Sequence, residues 1–178
     1  MRIEPTAITG VALIHWDVMN DERGGFARTY CGETMARAGL PFAVVQANTS
    51  FNTAAGTLRG MHHQADPHGE PKIVSCAIGR IFDVAVDVRP GSPTYRHWFG
   101  VELGRGVPLA LHLASGIAHG FLTLEADSEV TYLMGAPYVP GGGRGLRWDD
   151  PAIGIDWPAS PAVISDRDAG FALLELGK

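Results

Sequence analysis

An all-β fold, a jelly-roll sandwich or barrel with short peripheral helices, is predicted by three features of the sequence. From residue 44 onward, short segments with period-two alternation recur about every ten residues, separated by Gly, Pro, Asn and Asp. Twenty-three Gly and twelve Pro are interspersed with apolar runs rather than gathered in a tail, which reads as turns and not as disorder. Helical patterning is confined to two short pieces, residues 34–38 and a turn at 165–170.

Eight strands follow in order, over residues 44–51, 56–63, 72–78, 80–89, 97–103, 108–114, 118–124 and 129–134. The clearest is 80–89. Phe82, Val84, Val86 and Val88 take one face, expected to be core, while Ile81, Asp83, Ala85, Asp87 and Arg89 take the other. PGSPT at 90–94 closes that strand as a turn, because two prolines fix φ and remove donors while the glycine tolerates positive φ. Residues 141–143, three glycines, mark a flexible loop.

With 178 residues, 46% hydrophobic and 19% charged, the chain is expected to form one domain over 1–178 with a real core. Fourteen basic against nineteen acidic residues, with no Lys/Arg block, leave no footprint for nucleic acid or an anionic membrane. A small local anionic site stays compatible with that balance. Glu4 and Pro5 precede any apolar run, and no apolar stretch has the length of a membrane span, so neither a signal peptide nor a span is expected and the cytoplasm is the default compartment. Cys31 and Cys76 are too few for a disulfide scaffold or a four-ligand zinc site and read as packing residues.

Polar side chains that interrupt apolar strands are the candidates for function. Gln46, Asn48 and Ser50 share one face by parity; they either line a polar cavity or lie on a solvated face. In TLRGMHHQ, residues 57–64, Arg59, His62, His63 and Gln64 crowd one strand around a glycine. Strict alternation sends Arg59 and His62 to opposite faces, so a shared site needs a bulge at Gly60 or a ligand long enough to meet both. Lys72, Asp83, Asp87, Arg89, His119, Tyr132, Tyr138 and Asp168 complete the set, each with a bland reading as surface cation, half-buried ring or turn residue.

Two chemistries compete for these groups. Metal sites in such barrels take two histidines in H-x-H spacing with a carboxylate and a later histidine, whereas His62 and His63 are adjacent, His68 and Glu70 follow Pro67 in a loop, and only His119 is late. The metal-free alternative needs a base, a group that polarises a carbonyl and a proton donor. Histidine beside a carboxylate suits the first role, lysine the second and tyrosine the third.

At this point the chain resembles the dTDP-4-dehydrorhamnose 3,5-epimerases, the RmlC-type cupins of deoxysugar biosynthesis. The resemblance runs in order through DERGGF (21–26), VVQANTSF (44–51), GTLRGMHHQ (56–64), PKIV (71–74) and GRIFDVAVDVRPGSPTYRHW (79–98). It continues through SGIAHGF (115–121), TYLMGAPYVP (131–140), GLRWDDPAIGIDWP (145–158) and ISDRD (164–168). It implies a cupin-type jelly roll and epimerisation of a nucleotide-linked 4-keto-6-deoxyhexose without metal or redox cofactor.

The same resemblance implies roles. His62 corresponds to the base that removes protons beside the C4 ketone, and Asp168 to the aspartate paired with it. Lys72 is similar to the lysine that stabilises enolate charge, and Tyr132 to the tyrosine that returns a proton from the opposite face. Arg23 and Arg59 resemble residues gripping the nucleotide diphosphate, with Gln46 and Asn48 nearby. Phe26, His119 and Tyr138 join the substrate-binding set. A homodimer formed by strand exchange at the N-terminal region is implied as well. The sequence departs from the family pattern at Arg28, His63, Glu70, Ser115 and residues 141–143; none of these removes a proposed catalytic group, while the Arg28 and His63 changes bear on the base or sugar subsite and with it on the choice of sugar and of the carbon inverted. Two other readings stand beside the epimerase. The clustered His62, His63, His68 and His119 suggest a metal-dependent cupin, and the departures suggest a non-catalytic nucleotide-sugar-binding module.

Overall fold

The computed structural model describes residues 1–174. Its elements in chain order are β1 (Arg2–Pro5), β2 (Val11–His15), β3 (Val18–Asp21), β4 (Gly24–Ala27), α1 (Gly32–Arg37), β5 (Gln46–Asn52), β6 (Thr57–Gln64) and β7 (Lys72–Ile78). They continue with β8 (Arg80–Asp87), β9 (Trp98–Gly104), β10 (Leu109–Leu113), β11 (Ile117–Thr123), β12 (Ser128–Met134), β13 (Gly143–Gly145), β14 (Val163–Ile164) and α2 (Asp166–Ala169). All eight expected strands are present, displaced by two residues or fewer at their ends. Six further short strands are additions: β1 to β4 before the region of regular alternation, and β13 and β14 after it.

Two sheets face each other. One has the order β1-β2-β10-β7-β12-β5, the other β13-β6-β11-β8-β9, with β14 pairing parallel to β6. Hairpin β3-β4 stands apart as a two-stranded ribbon. The loop expected at 141–143 is shorter than its composition suggests, because Gly143 already pairs with Gln64 at the start of β13.

The main core fills the space between the sheets with Val74, Ile81, Ala85, Leu111, Leu113, Phe121 and Val130 among others. Cys76 belongs to this cluster, as its reading as a packing residue required. Each sheet is also covered on its outer side. Met35 of α1 and Phe42 close over Ile14, Ile73 and Ala110 on the first sheet. Leu146, Ile153 and Trp157 close over Met61, Val84 and Val86 on the second.

This double covering corrects the expectation for β8. Its valine face is buried, but against the outer layer, while Ile81 and Ala85 on the face expected to be polar point into the main core. A strand buried on both sides loses the polar alternation of a half-solvated one, which is also why β10 and β11 are buried along their whole length.

Outer covering traps one titratable group. His112 on β10 is buried beneath the edge of Phe42, its Nδ1 has no hydrogen-bond partner, and burial pulls its pKa down from 6.5 to about 4. Between those values the unfolded chain holds a proton that the folded chain excludes, so stability present above pH 6.5 is lost as pH falls toward 4. The depression corresponds to about 3 kcal/mol. Urea unfolding at pH 7.5 and pH 4.5 is therefore expected to show a smaller acid-induced loss for His112→Leu than for the parent chain, by about 2–3 kcal/mol; equal losses contradict the assignment.

Candidate active site

A cavity of about 430 Å³ opens between the sheets, and its polar lining comes from both of them. Gln46, Asn48, Thr49 and Ser50 on β5, Lys72 on β7 and Tyr132 on β12 supply one wall; Arg59 and His62 on β6 and His119 on β11 supply the other. Glu70, Tyr138 and Asp168 enter from connecting segments and from α2. Of the two readings open for Gln46, Asn48 and Ser50, the cavity reading holds.

Arg59 and His62 meet the same cavity because β6 carries an extra residue. Opposite β11, His62 pairs with His119 and Arg59 with Phe121, so three steps on β6 match two on β11. Gly60 sits at this bulge with φ +137°, and a Cβ there would stand 2.5 Å from the Cα of Gly120. Only glycine tolerates both the conformation and the contact. The Gly60 N–H, bulged out of the ladder, donates to Asp168 Oδ2 at 3.1 Å.

Asp168 is delivered from far along the chain. Parallel pairing of β14 with Thr57 and Leu58 brings the start of α2 alongside β6, and Ser165 caps it by accepting the Asp168 N–H at 3.1 Å. Asp168 Oδ1 then lies 2.7 Å from His62 Nε2, with the carboxylate buried and the imidazole half-open to the cavity. A carboxylate accepting the Nε2–H fixes the tautomer and leaves the lone pair on the other ring nitrogen. Burial lowers the His62 pKa below 6.5, against the opposing pull of Asp168, so the ring is neutral and basic at neutral pH.

On the facing sheet, burial pushes the Tyr132 phenol well above the ordinary tyrosine value, and the Asp83 carboxylate adds to the shift. The phenol therefore keeps its proton. Asp83 is fully buried and holds His119 at 2.7 Å between Oδ1 and Nε2, and the His119 ring meets Tyr132 edge-on at 5.9 Å. Lys72 is buried beside Glu70, with Nζ 3.0 Å from Oε1. Gln64 donates to the second Glu70 oxygen at 2.7 Å and accepts the Val139 N–H, which ties the Tyr138 segment to the lysine.

The structure brings together His62, Asp168, Lys72, Tyr132, Gln46, Asn48, Arg59, His119 and Tyr138. It does not bring Arg23 and Phe26 to this cavity within one chain. Both lie on the β3-β4 ribbon; Arg23 is 83% exposed and bonded to Asp21, and Phe26 is 68% exposed. Asp87 and Arg89 pair with each other in a separate network with Ser92 and Thr94 that anchors the turn at residues 90–94. Among the described residues, no three His, Cys, Asp or Glu side chains converge as a metal-holding group. Thr49, Phe121 and Met134 line the cavity without a signal in the sequence, whereas Asp83, which shares its strand face with Ile81 and Ala85, is already among the polar candidates.

Comparisons with known proteins agree with this geometry. The family model described as dTDP-4-dehydrorhamnose 3,5-epimerase matches residues 5–175. The dTDP-4-dehydrorhamnose 3,5-epimerase of Sinorhizobium fredii is 41% identical over 170 residues, covering 95% of this chain and 87% of that protein. The crystal structure of a 4-keto-6-deoxy sugar epimerase from the novobiocin gene cluster of Streptomyces spheroides matches with a TM-score of 0.93 at 38% identity, over 97% of this chain and 87% of that one. An epimerase of Legionella pneumophila, solved in complex with dTDP-4-keto-L-rhamnose, matches with a TM-score of 0.90 at 34% identity, over 97% and 92%. Sequence shared along nearly the whole chain, and the same two facing sheets, lead to one conclusion: the chain belongs to the dTDP-4-dehydrorhamnose 3,5-epimerase family, with its cupin-type jelly roll.

Proposed function

We propose that this chain is an isomerase that epimerises a dTDP-linked 4-keto-6-deoxyhexose at C3, C5 or both, by proton removal and return beside the C4 ketone. The observation that carries this reading is the placement of His62 on one wall of the cavity and of Tyr132 and Lys72 on the facing wall, with burial favouring the neutral ring and the protonated phenol. Inversion at carbon requires the two partners to stand on opposite faces of the sugar.

The sequence of events conserves atoms and electrons. His62 takes the C–H proton, the electron pair moves toward the C4 oxygen as an enolate, and the Lys72 ammonium offsets the charge there. Asp168 stabilises the imidazolium that forms. Tyr132 returns a proton to the opposite face of the same carbon. The ketone itself acidifies the neighbouring C–H bonds, so the scheme calls on no metal and no redox cofactor. Arg59, Gln46 and Asn48 line the cavity and would grip the diphosphate, for which a guanidinium fork is suited inside a protein of net charge −5.

Incubation with dTDP-4-keto-6-deoxyglucose in D₂O is expected to place deuterium at C3, C5 or both, read by NMR. His62→Ala is expected to abolish wash-in, whereas Tyr132→Phe retains exchange and loses inversion by about a hundredfold or more. A folded parent enzyme that binds the nucleotide sugar and gives no exchange is the non-catalytic module instead.

The pH profile tests the base independently. His62 acts as the neutral ring, so kcat/KM is expected to be full above its pKa and to fall as pH drops through it, with the acid limb below 6.5. Asp168 raises that pKa, so Asp168→Asn is expected to move the limb to lower pH while cutting kcat/KM by about a hundredfold or more. A limb moving upward contradicts the pairing.

The ribbon bearing Arg23 and Phe26 finds its role in a homodimer. Val18, Met19 and Phe26 leave it apolar and uncovered in one chain, and an exchanged ribbon would carry Arg23 to the partner's diphosphate. Sedimentation at micromolar concentration is expected to show a dimer, and Arg23→Ala to raise KM with little effect on kcat; a monomer with full activity counts against this assembly.

A further inference from the structure

His62 has a paired residue on each neighbouring strand. Opposite it stand His119 on β11 and, on β13, Gly145, which brings no side chain to the place beside the imidazole. Phe171 fills that place from a distant part of the chain. A Cβ on Gly145 would stand 2.2 Å, 2.3 Å and 2.6 Å from three atoms of the Phe171 ring, so only glycine admits it. The ring meets the His62 imidazole edge-on, with centroids 5.9 Å apart and planes at 75°, a geometry that aromatic pairs favour. The Arg167 guanidinium lies over the same phenyl ring at 5.7 Å.

Asp168 and Phe171 are three positions apart across the single turn of α2, which brings both against one imidazole. Their contributions differ in kind. The carboxylate fixes the tautomer through Nε2, but one hydrogen bond leaves the ring free to tilt about it. The phenyl ring has no polar atom, is half-buried, and stands outside the lining of the cavity, so it acts through His62 by packing and by excluding water. An imidazolium bared on that flank would gain hydration that the neutral ring does not need.

We infer that Phe171 is a positioning residue for the base: it fills the gap beside Gly145, holds the imidazole in line with Asp168 and keeps water from its flank. The inference rests on the reading of His62 as that base. The charged and titratable groups around His62 are Asp168 and Arg167 on α2, His119 on β11, and Arg59 and His63 on its own strand. Across the spaces it lines stand Lys72, Glu70, Tyr132 and Arg144. Arg167 rests on Phe171 itself and needs its own control.

NMR titration of the histidine C–H signals in the free protein, with the His62 signal identified by its loss in His62→Ala, reads the cover without turnover. In Phe171→Ala that signal is expected to titrate at higher pH than in the parent chain, because the imidazolium gains water. The acid limb of kcat/KM is expected to move up with it, opposite to the shift in Asp168→Asn, and the plateau to fall by about tenfold or more. Phe171→Leu, which returns apolar atoms to the gap, is expected to restore the titration. Gly145→Ala, which drives the ring out while α2 is unchanged, is expected to repeat the upward shift. Measured against Arg167→Gln, the double variant with Phe171→Ala is expected to keep the shift. A titration that Phe171→Ala leaves unmoved or lowers, or a shift that vanishes once Arg167 is replaced, overturns the inference. A parent chain that binds the nucleotide sugar and exchanges no proton overturns the epimerase reading instead, while the titration, read without substrate, still decides the packing.

Discussion

One extra residue in β6 governs the interior. Without the bulge at Gly60, the ladder between β6 and β11 would turn either Arg59 or His62 away from the cavity. The same distortion takes the Gly60 N–H out of the ladder and gives it to Asp168, so the residue that redirects His62 also holds the carboxylate bonded to it. Gly120 must stay bare of a side chain opposite, since a Cβ there would stand 2.5 Å from the Met61 sulfur and 2.9 Å from the Arg59 carbonyl oxygen. Two glycines facing each other across adjacent strands are thus a condition for the placement of Arg59, His62 and Asp168.

Around this point the cavity is organised as three pairs: Asp168 with His62, Asp83 with His119, and Glu70 with Lys72. Each carboxylate is buried or nearly so, and each holds one nitrogen-bearing side chain in place. An isolated buried charge costs far more than a paired one, so removing any carboxylate would disturb more than the bond it makes. The pairs also divide the labour. One fixes the tautomer of His62, one adds to the burial that keeps the Tyr132 phenol protonated, and one anchors the Lys72 ammonium.

Much of this was legible in the sequence. The strands from β5 to β12 follow from alternation and turn residues, and Lys72–Ile78 matches its expected bounds. β1 to β4 escape because runs of four or five residues give too few repeats to register a period. β13 and β14, with three and two residues, are defined by their partner β6 rather than by their own composition. The burial of both faces of β8 depends on Leu146, Ile153 and Trp157, more than fifty positions downstream, and no local pattern records it. Parity found the Gln46, Asn48 and Ser50 wall, and the glycine in TLRGMHHQ marked where alternation had to break. The pairing of His62 with Asp168 spans 106 positions and came from family resemblance alone.

The place of each polar group in its sheet bears on how such a site can change over evolutionary time. His62, Lys72, His119 and Tyr132 sit on strands with a neighbour on either side, whereas Gln46, Asn48 and Ser50 sit on β5, whose single ladder is to β12. A shift of β5 disturbs one ladder and leaves the opposite sheet untouched; a shift of any of the others disturbs two. Under the proposed function, the wall formed by β5 can move at the expense of one ladder, whereas the groups proposed to move protons are held in place by two.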